Sequence, residues 1–316
     1  MLFRLQRYEL ARTKQKKLSF FCRALVLSLN YSAKVRISEQ TSKIFLTFFL
    51  RENNFYKILA YYIFSSYFCK KLSTTTQMKY IALPEKIQRG RPMKLSFYLA
   101  MEEYVARYVP EDECFFMWQV EPSVIFGRNQ LIENEVNIDF CKKHDIQMYR
   151  RKSGGGCVYA DMDNVMLSYI SDGDNVGFTF NRFVQMILLV LRKMQVQATS
   201  TSHNDIMIGD RKVCGTAFYQ LPGRSIVHST MLYNTNMEHM LNAITPSAEK
   251  LQSKGIQSVR QRITLLKDYV PYSLEEVKML IRQTLCDCEL VLTEQQVLEI
   301  EQLEQEYLMK DFINKL

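Results

Sequence analysis

The first 77 residues contain no glycine, proline, aspartate or tryptophan, although the 316-residue chain as a whole holds 11 Gly and 7 Pro. A folded segment of that length needs turns, and glycine, proline and aspartate are among the residues that make them. Ordinary globular folding of 1–77 is therefore not expected. Acids are scarce there too. Glu9, Glu39 and Glu52 stand against 14 Lys/Arg, a net of 14 − 3 = +11. The whole chain carries a formal +8, so residues 78–316 carry 8 − 11 = −3. That mildly acidic body does not imply a general polyanion-binding surface, and no nucleic-acid partner is expected.

Long apolar runs are missing as well. The run "ILAYYIFSSYFC" has 12 residues between Lys57 and Lys70, too few to cross a hydrocarbon core of about 30 Å at 1.5 Å per residue. A membrane partner is not expected. None of the 8 cysteines forms a C-x2-C pair, and Cys286 with Cys288 lacks a second cluster to complete a zinc site. No fixed metal site is expected. The cysteines read as reduced, mostly buried thiols of a cytoplasmic protein, or of a mitochondrial one in a eukaryote. These features favour Met78, which opens "MKYIALPEK", as the natural start, with 1–77 a dispensable extension. A basic, acid-poor transit peptide is the competing reading of "RLQRYELARTKQKK". Protein beginning at Met78 is expected to stay soluble and active. Insolubility or inactivity of that shorter protein, beside a working full chain, overturns the expectation.

From Met78 onward the sequence is patterned, and 47 % hydrophobic residues suffice for a sizeable core. "SFYLAMEEYVARYV" from Ser96 places Phe97, Ala100, Met101, Tyr104, Val105 and Tyr108 at helical spacing. Strand-like "CFFMWQV" and "SVIFG" follow, the latter ending at Gly127. "CKKHDIQMYRR" predicts a short helix and a strand, and "NVMLSYI" another strand. "FNRFVQMILLVLRKM" is apolar almost all round and predicts a helix buried against a sheet. Over 204–233, "DIMI" and "KVCGTAFY" flank a turn at Gly209–Arg211, and "LPGR" separates "FYQ" from "SIVHSTMLY", which predicts antiparallel hairpins. After Tyr233 the pattern turns helical. Ser273 with Glu276 and Thr293 with Gln296 are capping-box signatures. The expected fold is α/β of the α+β type: one body over 78–316 with a mixed, largely antiparallel sheet flanked by helices.

Three consecutive glycines, Gly154, Gly155 and Gly156, follow Arg150, Arg151 and Lys152 in "YRRKSGGGCVYAD". Bare backbone beside guanidinium groups suits an anion, most often phosphate. A tight turn with solvated cations is the plain alternative. Lys212, after a turn, is either a solvated strand end or a catalytic cation. Asn204 and Asp205 either cap a turn or contact Mg²⁺ or a ribose. His228 sits on a strand pattern and is assigned no chemistry. Trp118 reads as core.

Six blocks in order carry a resemblance to the catalytic domain of lipoate-protein ligase A, a branch of the biotin/lipoate ligase superfamily, from about Met78 to about Val270. "SFYLAMEEYV" resembles the opening helix of that family and "SVIFGRNQ" its Gly-Arg-x-Gln strand. "RRKSGGGCVYAD" resembles Arg-Arg-x-Ser-Gly-Gly-Gly-Ala-Val-(Tyr/Phe)-His-Asp. "HNDIMIGDRKVCGTAFY" resembles Asn-Asp followed by Lys-Val/Ile-x-Gly-x-Ala, while "VHSTMLYN" and "KGIQSVRQRI" match later blocks. The resemblance implies activation of lipoate by ATP, with Mg²⁺, to lipoyl-adenylate. The lipoyl group then passes to a lysine of a lipoyl carrier domain, as in 2-oxoacid dehydrogenase E2 subunits or the glycine-cleavage H protein. It implies nucleotide binding by Arg151 and the Gly156–Cys157–Val158–Tyr159 backbone, and a phosphate loop of Ser153, Gly154 and Gly155. Lys212 is implied to contact both ATP and lipoate and to be catalytic. Arg260 and Arg262 read as a solvated face, or, by the matching block, as residues with a structural or carrier-docking role.

Two positions depart from the pattern: Ala160 replaces a histidine, and Cys157 replaces alanine. The chain also ends without the accessory domain of full-length relatives, so a transferase relying on a separate accessory subunit is an alternative. Another is an octanoyl- or lipoyl-transferase working through a Cys157 or Cys214 thioester, its thiolate favoured by Arg151 or Lys212. Against it, the Ala-Cys-Phe block of such transferases is absent where "SHNDI" stands. A non-catalytic carrier-binding paralogue is a third reading.

Overall fold

The computed structural model describes residues 78–88, 90, 93–173, 175–201, 205–245 and 263–314. The expectations for 1–77, Asn204, Arg260 and Arg262 lie outside them. The elements are β1 (Lys79–Ala82), α1 (Glu85–Gln88), α2 (Leu95–Tyr108), β2 (Glu113–Trp118), β3 (Ser123–Phe126), α3 (Ile132–Glu135), α4 (Ile138–Lys143), β4 (Gln147–Arg150), β5 (Val158–Ala160) and β6 (Asn164–Asp172). They continue with α5 (Val176–Lys193), β7 (Thr199–Ser200), β8 (Asp205–Ile208), β9 (Arg211–Leu221), β10 (Arg224–Leu232), α6 (Met237–Ala243), α7 (Leu274–Leu285), β11 (Cys288–Val291), α8 (Glu294–Leu308) and α9 (Lys310–Asn314).

Eight strands form one sheet in the order β11-β1-β2-β6-β10-β9-β8-β7. β1 runs parallel to β2 and β11, and the other pairs are antiparallel. Alternation along the strands sends side chains to opposite faces. Phe116, Met166, Ile170 and Ile226 pack with α2 and α8. Leu167, Tyr169 and Val227 pack on the other face with α5 and α7. Helices thus cover both faces, as the sequence patterning required. A smaller sheet, β4-β3-β5, stands apart from the large one.

Local chemistry accounts for the hairpins and helix starts. Pro222 and Gly223 turn β9 into β10, with Gly223 at φ +74°, a region that β-carbons disfavour. Both capping boxes are formed: Ser273 Oγ accepts from Glu276 N, and Thr293 Oγ1 accepts from Gln296 N, each pair reciprocated by the acidic or amide side chain.

Three expectations need correction. Tyr108 is 59 % exposed, and the buried face of α2 instead includes Glu102 and Glu103, at 4 % and 3 %. α5 starts earlier than the apolar run, at Val176 after an Asn175 cap, and Phe178 and Leu189 are exposed, so it buries one face only. The region after Tyr233 is not purely helical: β11 joins the sheet edge beside β1. Among the described residues no helix is long and apolar enough to cross a membrane.

Candidate active site

The segment Arg151–Cys157 links β4 to β5 across the end of β3, the strand that pairs with both. This brings Gly127, just past β3, against the loop. A β-carbon on Gly127 would lie 2.0 Å from the Gly155 carbonyl oxygen, so no other residue fits there. Gly155 itself has φ +94°, the left-handed region that favours glycine.

Arg151 is buried and turned into its own loop. Its Nε donates to Ser153 Oγ (2.9 Å) and to the Gly154 carbonyl (3.2 Å), and Nη1 to the Ile125 carbonyl (2.9 Å). Nη2 donates to the carbonyls of Gly154 (2.7 Å) and Gly156 (2.8 Å). Of the five N–H donors of a guanidinium, these contacts leave a single Nη1 hydrogen. Burial lowers the guanidinium's pKa to about 10, still charged at neutral pH. Sequence reasoning aimed this charge directly at phosphate; in the structure it holds loop carbonyls. The N–H groups of Gly154, Gly155 and Gly156 have no acceptor among the described residues. The groups left free to donate are therefore peptide N–H groups, with a buried positive charge behind them. Cys157 N–H is already taken by Glu135 Oε2 (3.1 Å), and Val158 and Tyr159 pair with β3. Arg151→Ala is expected to weaken ATP binding about 10- to 150-fold (about 1.5–3 kcal/mol), because the loop carbonyls lose the charge-assisted bonds that hold the adjacent peptide N–H groups in place. Lipoate binding should be spared, as titration calorimetry with each ligand can show. Equal loss for both ligands counts against a nucleotide loop.

Lys212 lies near the start of β9. Ile206 of β8 pairs with Cys214 and Met207 with Lys212, so β9 carries one extra residue, Val213. Such a bulge re-aims neighbouring side chains. The lysine stem folds back along its own strand: a β-carbon on Gly215 would stand 2.5 Å from Nζ and 2.6 Å from Cε. The ammonium contacts Asp205 Oδ1 at 2.7 Å. Gly215 is thus the floor of the trough that holds Lys212.

Sequence reasoning missed a buried relay next to the loop. Ser153 Oγ lies 2.7 Å from His228 Nε2, and His228 Nδ1 lies 2.9 Å from Glu102 Oε2. Ser168 Oγ donates to Glu102 Oε1 (2.5 Å) and accepts from Trp118 Nε1 (2.8 Å). Arg151 Nε also donates to Ser153 Oγ, so the hydroxyl joins the guanidinium to the imidazole, whose other nitrogen faces the Glu102 carboxylate. The serine hydroxyl of the expected phosphate loop therefore faces the histidine. The paired glutamates of α2 were the available signal, since neither fits an apolar face without partners. Lys152 forms a second cluster, 2.8 Å from Glu103 Oε2 and 2.9 Å from Glu306 Oε2, with Tyr307 O–H donating to Glu103 (3.0 Å).

Both thiols near the site are protonated at neutral pH. Burial raises Cys157 to about 12, outweighing the opposing effect of Arg151, and raises Cys214 to about 11. A cysteine nucleophile needs the reverse shift.

Residues 94–286 match the lipoyl protein ligase A/B catalytic domain family. A lipoate–protein ligase from Staphylococcus aureus is 37 % identical over 191 residues, 59 % of this chain and 58 % of that protein. A lipoate-protein ligase from Bacillus subtilis is 32 % identical over 174 residues, 54 % of this chain and 53 % of its own length. This chain thus spans little more than half of either relative. Among solved structures, a chain from an archaeal lipoylation system of Thermoplasma acidophilum, a bi-partite lipoate protein ligase and its E2 lipoyl domain, is 25 % identical. It superposes with a TM-score of 0.65, over 75 % of this chain and 96 % of that one.

Proposed function

The chain belongs to the lipoyl protein ligase A/B catalytic domain family, and from that premise we propose that it activates lipoate with ATP and transfers the lipoyl group to a lysine of a lipoyl carrier domain. In the first step a lipoate oxygen attacks the α-phosphorus, an O–P bond forms, and the bond to pyrophosphate breaks. In the second, the carrier amine attacks the acyl carbon, the amide forms, and AMP leaves. Two anions must meet in the first step, and preformed donors that need no reorganisation offset their repulsion. The observation that carries the reading is the run of three adjacent peptide N–H groups at Gly154–Gly156 without acceptors among the described residues. They suit phosphate oxygens, and Lys212 suits the position between the lipoate carbonyl and the α-phosphate.

Mg²⁺ would come with the nucleotide. Asp205 offers one carboxylate, and no group of three or more metal-ligating residues occurs among the described residues. That donor set fits an ion held mainly by phosphates. Bound there, the ion would neutralise phosphate charge, and Asp205 is the residue that would help to hold it.

Pyrophosphate release on mixing the protein with ATP and lipoate tests the activation step. A lipoate-dependent burst is expected. A second reading, in which activation needs a separate accessory subunit, is favoured by the extent of the match to one chain of the bi-partite archaeal ligase. It predicts no release, with transfer from preformed lipoyl-adenylate intact.

A further inference from the structure

Each of the three basic residues before the glycines is engaged by protein acceptors. Arg151 turns into the loop, whereas Arg150 and Lys152 on either side of it reach the C-terminal helices, which lie beyond the region 94–286 that matches the family. Arg150 Nε donates to the Ile313 carbonyl of α9 at 2.8 Å. Its Nη1 donates to the carbonyls of Gln130 (2.7 Å), Arg128 (3.0 Å) and Gly127 (3.3 Å). That turn is itself tied to the loop, because Arg128 N–H donates to the Ser153 carbonyl at 2.9 Å. Lys152 Nζ lies between two helices, 2.8 Å from Glu103 Oε2 on α2 and 2.9 Å from Glu306 Oε2 on α8. The root of the glycine run is thus gripped from α8 and α9 along two separate paths.

The grip from α8 can be removed without undocking the helix. Val297, Ile300 and Tyr307 are buried, Ser96 Oγ donates to Glu304 Oε1 (2.5 Å), and Tyr104 O–H donates to Glu299 Oε2 (2.5 Å). The Glu306 side chain is 51 % exposed, so losing its charge opens no cavity. Lys152 then keeps Glu103 and the face of Tyr307, 4.8 Å from the ring centroid, and the loop is loosened rather than freed. We propose that Glu306 is a positioning residue: through Lys152 it holds the Gly154–Gly156 loop in the form that receives phosphate, so that nucleotide affinity depends on α8. The proposal rests on the nucleotide-binding reading of the loop given above.

The sign of one substitution separates this role from a plain charge effect. Removing a carboxylate close to a phosphate site relieves repulsion and would tighten ATP binding; loosening the loop weakens it. Glu306→Gln is expected to weaken ATP binding about two- to fivefold, the worth of a half-exposed ion pair, and to leave lipoate binding unchanged. In a Lys152→Met background the same substitution should change nothing, because the hold it removes is already gone. Titration calorimetry on the full chain gives both affinities. Hydrogen exchange without nucleotide, on the peptides carrying the bonded amides of Arg128, Arg151 and Cys157, reports the loop itself. Faster exchange is expected in Glu306→Gln.

ATP binding that is unchanged or tighter in Glu306→Gln overturns the proposal, and so does weakening that persists in full in the Lys152→Met background. Unchanged exchange or an equal loss of lipoate affinity overturns it as well. Faster exchange in Glu306→Gln, beside wild-type protein that binds no ATP, overturns the nucleotide reading and leaves the hold on the loop supported.

Discussion

Lys212→Ala is expected to lower both lipoyl-adenylate formation and transfer from preformed adenylate by about 10²–10³, the usual loss for one preorganised cationic donor. On the proposed mechanism negative charge would build on the acyl oxygen and the α-phosphate in both steps, and the Lys212 ammonium would offset it in both. Its stem lies over Gly215, and Asp205 holds Nζ at 2.7 Å. Cys157→Ala and Cys214→Ser should each keep most activity, because burial holds both thiols protonated. A cysteine transferase would show the opposite pattern, with one thiol substitution nearly inactive and Lys212→Ala partly active. Rates measured on the three variants with synthetic lipoyl-adenylate and an apo lipoyl domain separate the two mechanisms.

Gly215→Ala should reach a similar loss without touching a charged group. The added methyl would overlap the end of the lysine side chain at 2.5–2.6 Å, with no backbone atom among its close neighbours. A flexible side chain yields, so the fold should survive and the ammonium should move. Misplacing a catalytic group by about 1 Å can cost about 10²-fold. The unfolded chain meanwhile loses entropy, so the variant should be as stable as wild type or more stable by up to about 1 kcal/mol. A thermal melt and an adenylation rate on the same sample check both halves. Activity within about twofold of wild type would mean that the position of Lys212 over Gly215 does not matter to the reaction.

Features fixed by neighbouring residues were legible from the chain. The capping boxes at Ser273 and Thr293 each need four residues, and the Pro222–Gly223 turn needs two. The glycine run was equally visible, and the fold shows why one of its members is glycine: Gly155 has φ +94°. Features that depend on distant partners were not legible. β11 pairs with β1 from some two hundred residues away, and its short sequence carries no mark of that pairing. The direction of Arg151 was misread because charge beside glycines does not reveal which carbonyls the fold brings near; Ile125 is one of them. The partners of Glu102, Ser168 and His228, lie far along the chain, and nothing beside Glu102 announces them. Lys212 acquired a role only through resemblance, since a lysine after a turn is ordinarily solvated.

Intact-mass spectrometry on one mixture tests the central claim most directly: the full chain, lipoate, ATP with Mg²⁺ and an apo lipoyl domain, with a parallel sample supplied with lipoyl-adenylate. The account predicts one lipoyl group added to the carrier in the adenylate sample at least, lost in Lys212→Ala, with no covalent acyl adduct on the enzyme. An acyl-thioester on the protein, or an unmodified carrier in both samples, would contradict it.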